Sequence, residues 1–264
     1  MPYRSDTDMS RRTYLQLTGG ASVVGATGLA GCLGGDDDVI VPGTASGFPP
    51  FEFREDGELM GFDIDLLEAV VAETEFELGE WEDFDFDGLI PALTSDRIDV
   101  IAAAMTITAD RQETIAFTDP YWESDQAVLV REDDGFQPAS WTDFEGRPVG
   151  AQSGTTGAEQ VQTNLIDTGL IDEDDYSSYD NYVFAVEDLE NENIDGVVID
   201  LPVAETFAAQ RNVAVAFIEE TGEEFGFGLR QGETELQSAL NDGLEVVQAD
   251  NQYAEITDRW FGQE

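Results

Sequence analysis

One pattern, written twice, constrains the fold more than any other feature. Ser95-Asp96-Arg97-Ile98-Asp99-Val100-Ile101 and Asn191-Glu192-Asn193-Ile194-Asp195-Gly196-Val197 each end a helix in polar residues, pass through Ile-Asp and enter an apolar run. A short unbroken apolar run beside helical periodicity marks a strand buried on both faces, as in a parallel sheet. Its presence in both halves predicts two similar α/β lobes. Open α/β sheets bind ligands outside the carboxyl ends of their strands. Those ends are Met105-Thr106 and Ile199-Asp200.

The remaining elements follow the same grammar. Val39-Ile40-Val41 opens a strand, and Leu59–Phe62 is a second, short one. Ile64, Leu67, Val70 and Val71 recur at helical spacing, with Asp63 placed to cap that helix and Asp87 to cap another bearing Leu89, Ile90 and Leu93. Asp99–Met105 reads as a buried strand. In the second half, strands are predicted at Pro148–Gln152, Gly196–Asp200 and Val213–Ile218, with helices from the Ser153–Gly157 turn to about Thr168, over Val186–Glu192 and from Pro202. Tyr121–Val130 and Phe225–Arg230 are the expected crossings between lobes, and helices near 233–249 and 251–260 return to the first. The expected architecture is α/β and two-lobed. Residues 39–124 and 230–264 form one lobe, and 125–229 the other.

Charge narrows the partners. Acidic residues number 58 against 11 basic ones, for a net charge of −47, and there is no histidine. Such a surface cannot neutralise phosphates, which excludes nucleic acid. The acid is spread along the chain, as expected of adaptation to very high salt, where the Debye length falls to about 3 Å and self-repulsion is screened.

The N-terminus reads as an address. Ser10-Arg11-Arg12-Thr13-Tyr14-Leu15-Gln16 has the form of a twin-arginine export signal, followed by a mildly apolar run from Leu17 to Ala30. That run is too short and weak for a permanent membrane span. Leu29-Ala30-Gly31-Cys32 has the form of a lipobox, so residues 1–31 are expected to be removed and Cys32 to carry lipid. At about 0.8 kcal/mol per buried methylene, two acyl chains anchor stably where one does not. Cys32 is the sole cysteine, which excludes an internal disulfide. Residues 32–38 are expected to be a tether; the adjacent Asp36-Asp37-Asp38 lacks the alternating spacing of a calcium loop. No metal or other cofactor is expected.

An ordered series of short motifs runs through residues 39–264. It comprises Gly43-Thr44, Phe48-Pro49-Pro50-Phe51-Glu52-Phe53, Gly61-Phe62-Asp63-Ile64-Asp65-Leu66, Phe86-Asp87-Gly88-Leu89-Ile90-Pro91-Ala92-Leu93, Met105-Thr106-Ile107-Thr108 with Arg111, and Phe117-Thr118-Asp119-Pro120-Tyr121. Gln152-Ser153-Gly154-Thr155-Thr156-Gly157 and Asp200-Leu201-Pro202-Val203-Ala204 follow. The series resembles family 3 of the extracellular solute-binding proteins, the polar amino-acid receptors of ABC importers. The resemblance implies a type II periplasmic-binding-protein-like fold with two hinge crossings, a monomer, a permease with its ATPase as partner, and a membrane attachment through Cys32.

It also implies roles. Arg111 would hold a ligand carboxylate bidentately, with the Thr106 and Thr156 N–H groups beside it. Asp200 would take the ammonium, helped by the Thr106 hydroxyl and the Ala104 carbonyl, and Phe48 and Phe86 would wall the ligand side chain. These roles make physical sense, because a zwitterion leaves water only if both its charges are paired. Taken alone, Arg111 fits better as an ion pair with Asp110 or Glu113 on a solvated helix, and Asp200 as the cap of the helix begun by Pro202. Ala45, where receptors for cations often carry an acid, and the neutral Gln152 lean toward a neutral polar ligand such as glutamine, although Glu52, Asp83 and Trp122 are within possible reach of the pocket. Two other functions are compatible with this fold: a dehydratase, with Glu123 as a recruitable carboxylate, and a sensory module for a signalling partner.

Overall fold

The computed structural model describes residues 38–133 and 135–262. The export signal, the lipobox and all but the last residue of the tether lie outside them. Two five-stranded sheets carry two lobes. The first sheet places Pro42–Thr44 between Glu82–Asp83 and Val100–Ile101, then adds Gly228–Arg230 and Ile115–Phe117. The second runs Tyr176–Tyr179, Val149–Gln152, Gly196–Asp200, Trp122–Arg131, Val213–Phe225. In each, neighbouring inner strands are parallel (Pro42 opposite Val100, Val149 opposite Gly196) and the strands next to the hinge are antiparallel.

The repeated Ile-Asp pattern does the same work in both lobes. Asp96 and Glu192, in the turn before it, both take positive φ, 58° and 63°. Asp99 Oδ1 accepts from Arg230 Nη2 at 2.8 Å, and Arg230 Nη1 donates to the Ile98 carbonyl at 2.7 Å. In the second lobe Asp195 Oδ1 accepts from Arg131 Nη2 at 2.6 Å, while Arg131 Nη1 donates to the Ile194 carbonyl. Each aspartate thus ties an arginine of another strand to the start of its own strand.

Four local expectations are corrected. Asp63 does not cap its helix. Phe62–Ala72 is capped two residues earlier, by Gly61, and Asp63 turns inward, fully buried, to accept from the Ala104 N–H at 2.7 Å and the Tyr121 hydroxyl at 2.6 Å. Phe62, Leu66 and Ala69 are buried beside the predicted stripe because Thr234–Ala249 and Asn251–Phe261 cover the helix from outside. Asp87 likewise does not cap its helix; it sits in a 3-10 turn, Phe86–Gly88, and accepts from Ser153 Oγ at 2.9 Å across the cleft. The strand expected over Asp99–Met105 is regular only at Val100–Ile101, because Ala104 takes φ 44°, but the run stays buried to Thr106. The helix expected to Thr168 is α-helical over Thr156–Val161 and continues as a wider π turn, Gln162–Ile166.

The chain passes between the lobes at Tyr121-Trp122 and again after Phe225. The two crossings are bonded together: Tyr121 N–H donates to the Phe225 carbonyl at 2.9 Å, and Thr118 N–H to the Phe227 carbonyl at 3.0 Å. The rings of Tyr121 and Phe227, with centroids 4.7 Å apart and planes tilted by 31°, pack at the same point. No helix among the described residues is long and apolar enough to cross a membrane.

Candidate functional site

The carboxyl ends of the inner strands meet across the cleft, and a narrow enclosed cavity lies between them. Its lining contains Phe48, Phe86, Ala104, Thr106 and Arg111 from the first lobe, and Gln152, Thr156 and Asp200 from the second. Ala45, Glu52, Ala103 and Thr155 complete it. The sequence series therefore converges in space, although its members come from loops far apart in the chain.

Arg111 lies on the short helix Ala109–Gln112, which Thr108 caps through its hydroxyl. It makes no ion pair with Asp110 or Glu113. Instead Nη1 donates to the Thr106 carbonyl at 2.7 Å and Nη2 to the Gly154 carbonyl of the opposite lobe at 3.0 Å. Phe86 lies under the guanidinium carbon at 5.3 Å, so this ring supports the cation as well as walling the cavity. Burial disfavours the charge and lowers the Arg111 pKa, against the pull of Glu159, Glu223 and Asp200. Gly154 requires its glycine: φ is 75°, and a Cβ there would come within 3.0 Å of Asp87.

Asp200 occupies the cap position of Leu201–Gln210, but its side chain makes no capping bond. It faces the cavity, 4% exposed, with Oδ1 lacking a hydrogen-bond partner among the described residues. Burial, then the nearby Glu223, raises its pKa to about 8, with the Gln126 amide and Arg111 acting in the opposite sense. Glu52 is 1% exposed and its Oε2 also lacks a partner there. Burial and the surrounding Asp63, Asp200 and Asp83 raise its pKa well above the carboxylate range. A buried acceptor without a donor is costly, so a site holding two calls for donors from outside.

The aromatic wall is built across the lobes: the rings of Phe48 and Tyr182 lie 5.5 Å apart. Ala104 is held in its left-handed conformation by the Asp63 bond to its N–H. Thr155 caps the helix on the opposite lobe by accepting from the Ala158 N–H, which leaves Thr156 as its first residue.

A model of bacterial extracellular solute-binding proteins, family 3, matches residues 40–263. The chain belongs to that family. Among relatives of this solute-binding protein is a probable histidine-binding protein of Campylobacter jejuni, 35% identical over 80% of each chain. An ABC transporter arginine-binding protein 1 of Escherichia coli is 31% identical over 84% of this chain and 90% of its own. Among solved structures, an ancestral arginine-binding protein bound to glutamine matches with a TM-score of 0.79 at 35% identity, over 86% of this chain and 99% of that one.

Of the three extra residues that sequence placed within possible reach, only Glu52 lines the cavity. Asp83 pairs with Arg54 and Ser46 outside it, and Trp122 packs against Phe51, Phe62 and Phe261. Sequence missed Ala103 and Thr155 in the lining and Glu223 beside it. Glu223 Oε2 accepts from the hydroxyls of Thr106 and Thr156. Nothing in the sequence separates it from the many acids around it.

Proposed function

We propose that this solute-binding protein is the capture component of an ABC importer and closes its lobes around a cationic amino acid of the arginine type. The observation that carries this is one cavity with Arg111 from one lobe, Asp200 from the other, and Glu52 as a further buried acid. Arginine has three charges, and each finds its opposite: the carboxylate at Arg111, the α-ammonium at Asp200 with the Thr106 hydroxyl, the guanidinium at Glu52. Unpaired, each would cost several kcal/mol to desolvate. Glu52 weighs against the neutral ligand that Ala45 and Gln152 favour. The arginine-binding relative agrees with a cation, while the histidine-binding relative and the glutamine complex represent the mostly neutral alternative.

Because contacts come from both lobes, the ligand binds the closed arrangement better than the open one, and that difference drives closure. In this reading residues 39–124 and 230–264 make up most of one lobe and 125–229 most of the other, with Gly228-Leu229 joining the first sheet and Trp122–Ser124 the second. The monomer leaves the cell by the twin-arginine route, is held at the outer membrane face by lipid on Cys32, and hands its ligand to a permease with its ATPase. Its acidity suits high salt. A dehydratase has little support: Glu123 is exposed and outside the cavity.

Calorimetric titration in molar salt tests the proposal. L-arginine should bind with a dissociation constant of about 1 μM or below, equivalent to roughly 8 kcal/mol, and more tightly than L-glutamine. Tighter binding of L-glutamine would sink the cationic assignment, and no binding of any amino acid would sink the capture function.

A further inference from the structure

Glu223 stands near the end of the long strand Val213–Phe225, just before the chain crosses back to the first lobe. Pairing with Trp122–Arg131 breaks between Glu219 and Glu223. Asp125 pins the bulged segment by accepting from the N–H groups of Thr221 and Gly222, both at 2.9 Å. Bulges re-aim side chains. Here the re-aimed Glu223 Oε2 accepts from Thr106 Oγ1 at 2.9 Å and Thr156 Oγ1 at 2.8 Å, one hydroxyl from each lobe, and from Gln126 Nε2 at 3.3 Å.

A hydroxyl has a single proton. With both threonine protons directed at Glu223, each oxygen has only lone pairs left to offer. Thr156 meets the Gln126 amide with one of its own, at 3.2 Å. Thr106 Oγ1 also lies 3.4 Å from Thr156 Oγ1, and Thr106 and Asp200 both line the cavity, so an acceptor lone pair on Thr106 and the Asp200 carboxylate serve one site.

We propose that Glu223 is a positioning residue that fixes the Thr106 hydroxyl as an acceptor and thereby makes this end of the cavity select an α-ammonium group. Glu223 does not touch the ligand. It removes the option of Thr106 turning its proton toward the cavity, where it would oppose a donor. Its placement on the hinge strand, bonded to both lobes, makes that orientation a property of the closed arrangement.

The inference rests on the amino-acid reading above, and its test separates the two. The probes are L-arginine and desamino-arginine, the same molecule without its α-amino group, titrated into the full chain in molar salt. Glu223→Gln keeps the shape but can turn a donor toward Thr106. It should weaken L-arginine binding about tenfold or more and desamino-arginine less than about threefold, a differential that a general loss of structure would not produce. In a Thr106→Val background, which removes the hydroxyl itself, Glu223→Gln should cost L-arginine little more. Equal losses for both probes, no loss, or full additivity with Thr106→Val would overturn the assignment while leaving the capture function intact. Failure of the parent to bind L-arginine would overturn the cationic reading and this inference with it.

Discussion

Asp63 Oδ2 receives the Ala104 N–H at 2.7 Å, and through that bond a helix of the first lobe holds a cavity residue in the left-handed conformation at φ 44°. The same oxygen accepts from the Tyr121 hydroxyl at the first crossing. One buried carboxyl thus joins the core helix, the cavity wall and the hinge.

Removing that carboxyl should therefore damage the fold before it damages specificity. Asp63→Ala leaves the Ala104 N–H and the Tyr121 hydroxyl buried without an acceptor, a loss of about 2–4 kcal/mol. Denaturant titration in molar salt should show it as a lower midpoint with an unchanged slope. A loss below about 0.5 kcal/mol would mean that water reaches the site freely.

Stability and binding should respond to pH in opposite directions. Burial raises Asp63 to about 7 and Asp200 to about 8 in the fold, against about 3.9 in an unfolded chain. The fold therefore holds more protons than the unfolded chain between about pH 4 and 8, and the ligand-free protein loses stability as pH rises through that window. An ammonium ligand favours ionised Asp200, so binding releases a proton. Affinity should rise with pH up to about 8, by at most about tenfold per unit for the proton leaving Asp200 and by a further such factor for the one that a guanidinium draws from Glu52. Melting scans and calorimetry in two buffers of different ionisation enthalpy read both effects. A pH-independent affinity would contradict the placement of the ammonium at Asp200.

Arg111→Lys should separate charge from geometry. Lysine keeps the cation but cannot hold the Thr106 and Gly154 carbonyls while presenting a planar fork to a carboxylate. Amino-acid affinity should fall about 30-fold or more, from lost charge-assisted bonds at roughly 1.5–3 kcal/mol each, with a lower melting temperature wherever a carbonyl loses its donor. Retained affinity would remove Arg111 from the site.

Glu52→Gln should change which ligand is preferred. With the buried charge gone, L-arginine should lose about tenfold or more and L-glutamine should lose little or gain. Competition between the two ligands on one sample measures the ratio directly. An unchanged ratio would place the ligand side chain elsewhere in the cavity.

Much of this protein was legible in its sequence. The twice-written Ile-Asp pattern fixes the start of an inner strand in each lobe through local hydrophobic periodicity, and strand Gly196–Asp200 lies where the apolar run places it. The motif series named residues that the fold brings to one cavity. What sequence could not decide was the direction of individual carboxylates. Asp63, Asp87 and Asp200 all stand where a helix cap is expected, yet none makes a capping bond. Asp63 turns into the core, Asp87 reaches across the cleft to Ser153, and Asp200 faces the cavity. Capping is a choice between partners a few residues away and partners tens of residues away, and only the packed fold brings the second kind within reach. The same holds for Glu223, whose two threonine partners come from different lobes. Sequence by itself located the inner strands and most of the helices, and named candidates for the two charges of a zwitterion. The tertiary structure decided which of many similar acids are buried, because burial and long-range donors depend on the meeting of the two lobes.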